Sequence, residues 1–478
     1  MVFMVTSVKM KEKECLRKDT TMQTQFKKNE YYTGTVEDLT SEGAGVVKIE
    51  GFPFFVEGTI PGETIRFKAI KVNKNFGFGR LEAIEVTSPD RIEERDMKGR
   101  QIGTMTLQHM TYQSQLAYKQ KQVQDAFERL GHFKDVSVNA VMGMDHPWEY
   151  RNKAQIPVQV VNGQVETGFY RKKSHQLIPI EDFFIQDPAI DRAIVVVRDL
   201  IRHYGLSVYD EKTHKGLIRH IIVKRGHHTG QMMIVIVASK NKLGIEDNLV
   251  EDIRQALPEV VSIVLNVNTD KGNKILGQHN RVLWGTAYYE DCMLEKTLRI
   301  SANSFYQVNT PQAERLYQVA IEAAQLTGSE TVLDAYCGIG SISLSLAPHA
   351  QHVYAMEIVA EAIDMAKQNA QINHIDNVTF EVGAAEEVLP QWNQQGIHFD
   401  VAVVDPPRKG LDPEFIQALI DQDPDRIVYV SCNPATCARD CRIIADAGYH
   451  IEMIQPVDLF PQTTHVESVV LLTKSEAL

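Results

Sequence analysis

The chain has 478 residues, 44% of them apolar, and carries 62 acidic against 50 basic side chains for a formal net charge of -12. That length leaves room for two or three domains, and the acidic balance excludes a protein that coats nucleic acid nonspecifically, because phosphate binding draws on clustered Lys and Arg. No run of 18 or more apolar residues occurs, so no membrane span or membrane partner is expected.

The opening MVFMVTSV has neither the basic flank nor the small-residue cleavage site of a secretory leader. Six cysteines in so long a chain, three of them crowded at Cys432, Cys437 and Cys441, do not resemble a disulfide framework. They fit a reducing compartment, and the chain is expected to be cytoplasmic.

Residues 1–30 are polar with no apolar periodicity and read as a disordered tail. From 31 to 91 the runs TGTVEDL, GAGVVKIEG, FPFFVEG, ETIRFKAIKV and FGFGRLEAI predict a small β-barrel of the OB type, a known oligonucleotide holder. Within it Arg66, Lys68, Lys71, Lys74 and Arg80 interleave with Phe67, Phe76 and Phe78. Cations for phosphates and rings for stacking suit an RNA surface; a solvated strand face over core phenylalanines is the alternative.

Residues 111–130 have helical apolar spacing and stop at Gly131, and the rest of 92–300 reads as a central α/β domain whose chemistry is mute apart from basic groups at Arg151, Lys153, Arg171, Lys172 and Lys173, which ordinary surface explains as well. From 301 to 478 the rhythm becomes strand, loop, helix: TVLDAYCGIG, HVYAMEI, VTFEVGAA, FDVAVVDPP, RIVYVSCNP, SVVLLTK. This predicts an α/β, doubly wound, mainly parallel sheet of Rossmann-like form, with chemistry at the strand ends.

The first strand is followed by Asp334, Gly338 and Gly340, glycines that let a ligand approach the backbone. The match to G-x-G-x-x-G is incomplete, since Ser343 stands in place of the third glycine. Glu357 ends the next strand, where a carboxylate can accept both ribose hydroxyls, and Asp405 with two prolines makes a rigid turn at the fourth. These three strand ends together fit an S-adenosylmethionine site.

RIVYVSCNPATCARD places Cys432 at a strand end, with Asn433 and Pro434 as N-cap and first helical residue. The positive end of a helix is expected to lower the thiol pKa, although cysteines at strand ends are more often inert packing groups. Cys437 and Cys441 lie on one helix face with no partner to complete a tetrahedral metal site, and Cys337 is expected to pack. Glu467, at the mouth of the last strand, is a candidate general base or else a solvated strand-end carboxylate.

At these residues the chain resembles the bacterial RNA uracil-C5 methyltransferase family, in particular its 23S ribosomal RNA branch. The resemblance covers about residues 31–478 and rests on FYQVN (Phe305–Asn309), DAYCGIG (Asp334–Gly340), MEI at Glu357, DPPRKG at Asp405, SCNP at Cys432 and HVE at Glu467. It implies a TRAM barrel at 31–91, a class I catalytic domain at 301–478 on which the 111–130 helix packs, and S-adenosylmethionine as cofactor. It makes Gln307, Tyr336, Glu357 and Asp405 cofactor contacts, with Phe305, Asp334, Gly338 and Gly340 beside them, Cys432 the nucleophile and Glu467 the proton acceptor. Carbon 5 of uracil does not attack a sulfonium methyl unaided, whereas thiolate addition at carbon 6 concentrates charge on carbon 5, and the carbon 5 proton must afterwards go to a base.

Many members carry an iron-sulfur cluster on cysteines whose positions here are Asp96, Ile102, Met105 and, in the region of the fourth, Phe183. Without thiolates no cluster is expected, and apolar packing is the expected substitute. The expected partner is 23S rRNA, at one or two sites, bound by a monomer with the target base out of its stack. The alternatives are a tRNA m5U methyltransferase, an RNA cytosine-C5 methyltransferase, which DPPR disfavours for want of a cysteine, and a non-catalytic RNA-binding protein.

Overall fold

The computed structural model describes residues 26–474; most of the predicted tail, residues 1–25, lies outside the described residues. The chain divides into two compact units, one through Pro89 and one from Asp90.

In the first unit β1 (Tyr31–Leu39), β2 (Ala44–Ile49), β3 (Phe52–Glu57), β4 (Thr64–Val72) and β5 (Gly77–Val86) close into a barrel in the order β1-β2-β3-β5-β4. Strict alternation along β4 sends Ile65, Phe67 and Ala69 inward and leaves Arg66 and Ile70 exposed. The core closes with Val36, Val47, Phe54 and Val56, and with Phe26 from within the segment read as a tail. Gly79 is needed for close approach, because a Cβ there would stand 2.5 Å from the Phe67 ring.

The second unit opens with α1 (Met97–Ile102) and α2 (Tyr112–Asp125), the latter capped by Thr111, whose hydroxyl accepts from Ser114 N. The predicted helix to 130 is present, but Ala126–Leu130 wind as a π turn. Strands β6 (Lys153–Val161), β7 (Gln164–Tyr170), β8 (Leu177–Pro179), β9 (Ile218–Arg225), β10 (Met232–Ala238), β11 (Val260–Val267) and β12 (His279–Gly285) form a central sheet in the order β12-β11-β10-β9-β6-β7-β8. Helices α3 (Pro188–His203) and α4 (Glu246–Ala256) bury their apolar stripes on one face of it.

Ile102, Met105 and Phe183 gather in one small apolar cluster with Tyr150, Ile180 and Ile185, while Asp96 caps α1 by accepting from Lys98 N at 2.8 Å. These residues supply no thiolate and fit no iron-sulfur cluster.

A hairpin of β13 (Tyr288–Met293) and β14 (Lys296–Ser301) leads into α5 (Thr310–Ala324) and the last sheet. That sheet holds β15 (Thr331–Ala335), β16 (His352–Glu357), β17 (Val378–Val382), β18 (Val401–Val404), β19 (Arg426–Ser431), β20 (Tyr449–Val457) and β21 (Glu467–Lys474) in the order β17-β16-β15-β18-β19-β21-β20. Strands β15 to β19 are parallel and β21 is antiparallel to both its neighbours. The near-continuous apolar runs VAVV, IVYV and VVLL of β18, β19 and β21 are what a sheet covered on both faces requires.

Helices α6 (Ser341–Leu346), α7 (Ala360–Ile372), α8 (Ala385–Gln394), α9 (Pro413–Gln422) and α10 (Pro434–Asp446) complete the doubly wound form. Val123, Ala126 and Phe127, at the end of α2 and in the π turn, share a core with Leu333, Ala335, Cys437 and Cys441, so this early segment packs on the last sheet. Strand order reverses at β15 and β18, the crevice where such sheets bind ligands.

Candidate active site

At the end of β15 the chain turns sharply: Tyr336 adopts φ 71°, and the amides of Tyr336 and Cys337 both donate to Met356 O, at 3.1 and 3.0 Å. Gly338 follows at φ 56° with open space where a side chain would be. Its amide donates to Glu357 Oε2 at 3.3 Å, and Glu357 Oε1 accepts from Val359 N at 3.0 Å. Glu357 is thereby fixed at the end of β16 beside the glycine turn.

Asp334 is buried; its Oδ2 accepts from the Ser343 hydroxyl, and its Oδ1 is buried without a partner. Ser343, which breaks the dinucleotide fingerprint, therefore has a use of its own. Gln307 lies in the turn before α5, donating to Tyr317 Oη at 3.4 Å and accepting at its backbone carbonyl from Asn152 Nδ2 at 2.9 Å. Phe305 is 69% exposed, a large ring left facing outward two residues away.

Cys432 and Glu467 are brought together by strand pairing. Ser431 on β19 faces Ser468 on β21, so the next residue of one strand and the preceding residue of the other, Cys432 and Glu467, stand opposite at the end of the sheet. Asn433 caps α10 by accepting from Ala435 N at 3.2 Å, with Pro434 in the first turn. The same Asn433 donates through Nδ2 to Arg408 O at 3.0 Å, and Thr436 adds a second bond to that carbonyl at 3.3 Å. The Asp405–Gly410 turn is thus tied to the helix that follows Cys432. Gly410, at φ 81°, is obligatory there, since a Cβ would meet Asp440 Oδ2 at 2.5 Å.

The electrostatics differ from the expectation of an acidic thiol. Burial pushes the Cys432 thiol up to about 11, the carboxylates of Glu467 and Asp405 add to this, and the Arg408 guanidinium opposes it. A helix N-terminus contributes about half a charge, too little against desolvation and two nearby carboxylates. Burial raises Glu467 to about 8, with Asp405 adding and Arg408 opposing. Burial likewise raises Asp405 to about 7, helped by Asp334, and raises Asp334 to about 7, partly offset by Ser343.

Three carboxyl groups that repel one another in a crevice fit a ligand carrying positive charge, and the orphaned Asp334 Oδ1 is an acceptor in want of a donor. S-adenosylmethionine, a sulfonium with an amino group and a ribose, meets both conditions.

Arg408 and His465 were not singled out from sequence. The Arg408 guanidinium lies 3.4 Å from His465 Nε2, and burial holds that imidazole down to about 4, hence neutral. Their signal was available, as the residues directly following DPP and preceding VE at two strand ends. Cys437 and Cys441 are fully buried with sulfurs 3.9 Å apart, and Cys337 is buried too. Among the described residues no group of three or more His, Cys, Asp or Glu is placed to hold a metal ion.

On the barrel, Arg66 and Lys68 lie over the Tyr31 ring at 4.9 and 5.5 Å, and Lys71 and Lys74 are exposed. Phe76 and Phe78 pack together with Phe55 at the surface. One of the sequence expectations changes here: Phe67 is core and cannot stack on a base. Arg80, the last cation of the run, pairs with Glu82 just beyond it at 2.7 Å. Side-chain direction along a strand decides the place of Phe67, and residues two apart on one strand face bring Arg80 to Glu82.

The strand order and the crevice define a class I methyltransferase. The model of the tRNA (uracil-5-)-methyltransferase family matches residues 111–475, and that of the TRAM domain residues 25–81. An "uncharacterized RNA methyltransferase" of Lactiplantibacillus plantarum is 51% identical over 450 residues, covering 94% of this chain and 98% of its own. One of Enterococcus faecalis is 48% identical, with 94% and 98% covered. Among solved structures, the tRNA (uracil-54, C5)-methyltransferase of Pyrococcus abyssi, in complex with S-adenosyl-L-homocysteine, superposes with a TM-score of 0.73 at 28% identity, covering 92% of this chain and all of that one. The chain belongs to the tRNA (uracil-5-)-methyltransferase family. Among the described residues no helix is long and apolar enough to cross a membrane.

Proposed function

We propose that the chain methylates carbon 5 of a uridine in 23S rRNA, with Cys432 as covalent nucleophile, Glu467 as general base and S-adenosylmethionine as methyl donor. The observation that carries this reading is the placement of Cys432 opposite Glu467 across β19 and β21, beside the carboxylate crevice. Asp334, Glu357 and Asp405, with Gln307, Tyr336, Phe305 and the backbone of Gly338 and Gly340, would hold the donor, which supplies an electrophilic methyl group.

In the protein's own steps, the Cys432 thiol loses its proton to solvent, the thiolate bonds to carbon 6 of the pyrimidine, and the 5,6 π pair moves toward the carbon 4 oxygen as an enolate. Once carbon 5 has gained its methyl group, Glu467 removes the carbon 5 proton, the ring double bond re-forms, and the carbon–sulfur bond breaks to release Cys432. A carboxyl raised toward neutrality is a stronger base than an ordinary one while remaining ionised in part at pH 7. Arg408 assists both groups by favouring thiolate and carboxylate. Arg408→Ala is therefore expected to displace the pH dependence of kcat/KM to higher pH, as both groups lose a stabilising cation. A profile that stays in place removes Arg408 from this role.

The TRAM barrel, with Arg66, Lys68, Lys71, Lys74, Phe76 and Arg80 as the proposed RNA-contacting set, supports a large structured RNA as substrate. A second reading, tRNA, is favoured by the substrate in the name of the Pyrococcus abyssi enzyme. Mapping 5-methyluridine in ribosomal and transfer RNA from cells lacking this protein separates the two. Loss at one or two 23S uridines with intact tRNA is expected; loss confined to tRNA establishes the second reading, and no loss anywhere overturns both.

A further inference from the structure

Helix α2 carries polar side chains at 112, 115 and 119, one helical face by spacing, and that face is turned into the protein: Gln115 and Lys119 are fully buried. All three reach the loop between β20 and β21, residues 458–466, which ends at Glu467. Lys119 Nζ pairs with Asp458 Oδ1 at 2.5 Å, both wholly buried, and donates to Phe460 O at 3.0 Å. Tyr112 Oη donates to Asp458 Oδ2 at 2.9 Å. Gln115 and Gln462 bond reciprocally: Gln115 Nε2 donates to Gln462 Oε1 and Gln462 N donates to Gln115 Oε1, each at 2.9 Å. Gln462 itself sits at φ 70°, a conformation that costs a non-glycine residue energy and persists where its surroundings over-determine it.

A buried ion pair is a weak stabilising device, since apolar replacements of like volume are often as stable or more so. What such a pair does supply here is a single geometry for nine residues that would otherwise be an ordinary hairpin loop. Val457 pairs with Glu467 across that loop, so its shape sets where the Glu467 carboxylate lies. Cys432 is held differently, by β19, the Asn433 cap and the Arg408 carbonyl, none of which α2's polar row touches.

We propose that Tyr112, Gln115 and Lys119 are positioning residues for the general base, acting on proton removal and not on thiolate addition. The proposal rests on the reading of Glu467 as that base. Gln115→Leu and Tyr112→Phe, in the full chain, leave no uncompensated buried charge and are the principal variants; Lys119→Met exposes Asp458 to that penalty and is included with a thermal melt to report folding.

Each variant is mixed with methyl donor and substrate RNA, and turnover is followed beside the amount of protein–RNA adduct that survives denaturing electrophoresis. Gln115→Leu is expected to lower turnover by about 10- to 100-fold, the scale of a displacement near 1 Å, while adduct accumulates above the wild-type level. Lower turnover without extra adduct means general damage and overturns the proposal, as does unchanged turnover. Glu467→Gln in parallel keeps the two readings apart. Adduct with Glu467→Gln but none with the α2 variants sinks the positioning role and leaves the base in place, whereas no adduct with Glu467→Gln removes the base and this proposal with it.

Discussion

Cys432→Ala is expected to abolish methyl transfer, a loss of about 10⁴-fold or more, with binding of RNA and of S-adenosylmethionine little changed. The large effect follows from the chemistry: without sulfur at carbon 6 there is no enolate, and the remaining carboxylates and bound donor cannot make carbon 5 nucleophilic. Fold should survive, because Cys432 is half-buried and its neighbours are held by Asn433, Arg408 and Asp440 instead. RNA substituted with 5-fluorouridine sharpens the measurement. Fluorine at carbon 5 cannot leave as a proton does, so the wild-type protein should become permanently attached through Cys432, a linkage that peptide mapping locates. Attachment at another residue, or full activity of Cys432→Ala, would refute the nucleophile.

Glu467→Gln is expected to stop the cycle after methyl transfer and to leave a methylated, covalently bound RNA that persists in denaturant. It also carries a stability signature. The folded-state pKa of about 8 lies above the ordinary carboxyl value of 4.5, so the native state binds the extra proton between those values. The associated stability is complete below about pH 4.5 and is lost as pH rises through 8. At about 1.4 kcal/mol per pKa unit, the ionised carboxylate costs the native state at most about 5 kcal/mol in alkaline solution. The amide that replaces it in Glu467→Gln cannot ionise, so Tm of the variant measured at pH 9 should exceed that of the wild type, and the difference should vanish at low acid pH. Equal melting at both pH values would show that Glu467 is not a strained carboxylate.

Much of the fold was legible because it is written in local patterns. Short apolar runs leading to Asp334, Glu357, Asp405 and Cys432 mark β15, β16, β18 and β19, since strands buried on both faces need apolar side chains and ligands gather at their ends. Glycine at 338 and 340 and the Asn433–Pro434 cap are likewise short-range signals. The extent of the barrel was less visible, because Phe26 lies apart from the β-runs and joins the core through ring contacts with Tyr32, Phe52 and Phe54.

The strand-end candidates for the site could be named from the sequence, but their charges could not. Cys432 and Glu467 are 35 positions apart, and only the antiparallel insertion of β21 between β19 and β20 sets them opposite each other. The helix-end argument gave the wrong sign for the thiol because it weighed a local dipole and could not count desolvation or carboxylates arriving from other strands.

The amino-acid sequence by itself determined the strand and helix plan and the family, since each depends on neighbours within a few positions along the chain. Only the tertiary structure decided which barrel rings face inward, that Arg80 pairs with Glu82, which way the proton affinity of Cys432 moves, and that α2 grips the loop before Glu467. Burial and Coulomb interactions depend on distance in space, and residues 119 and 458 become neighbours only once the chain has folded.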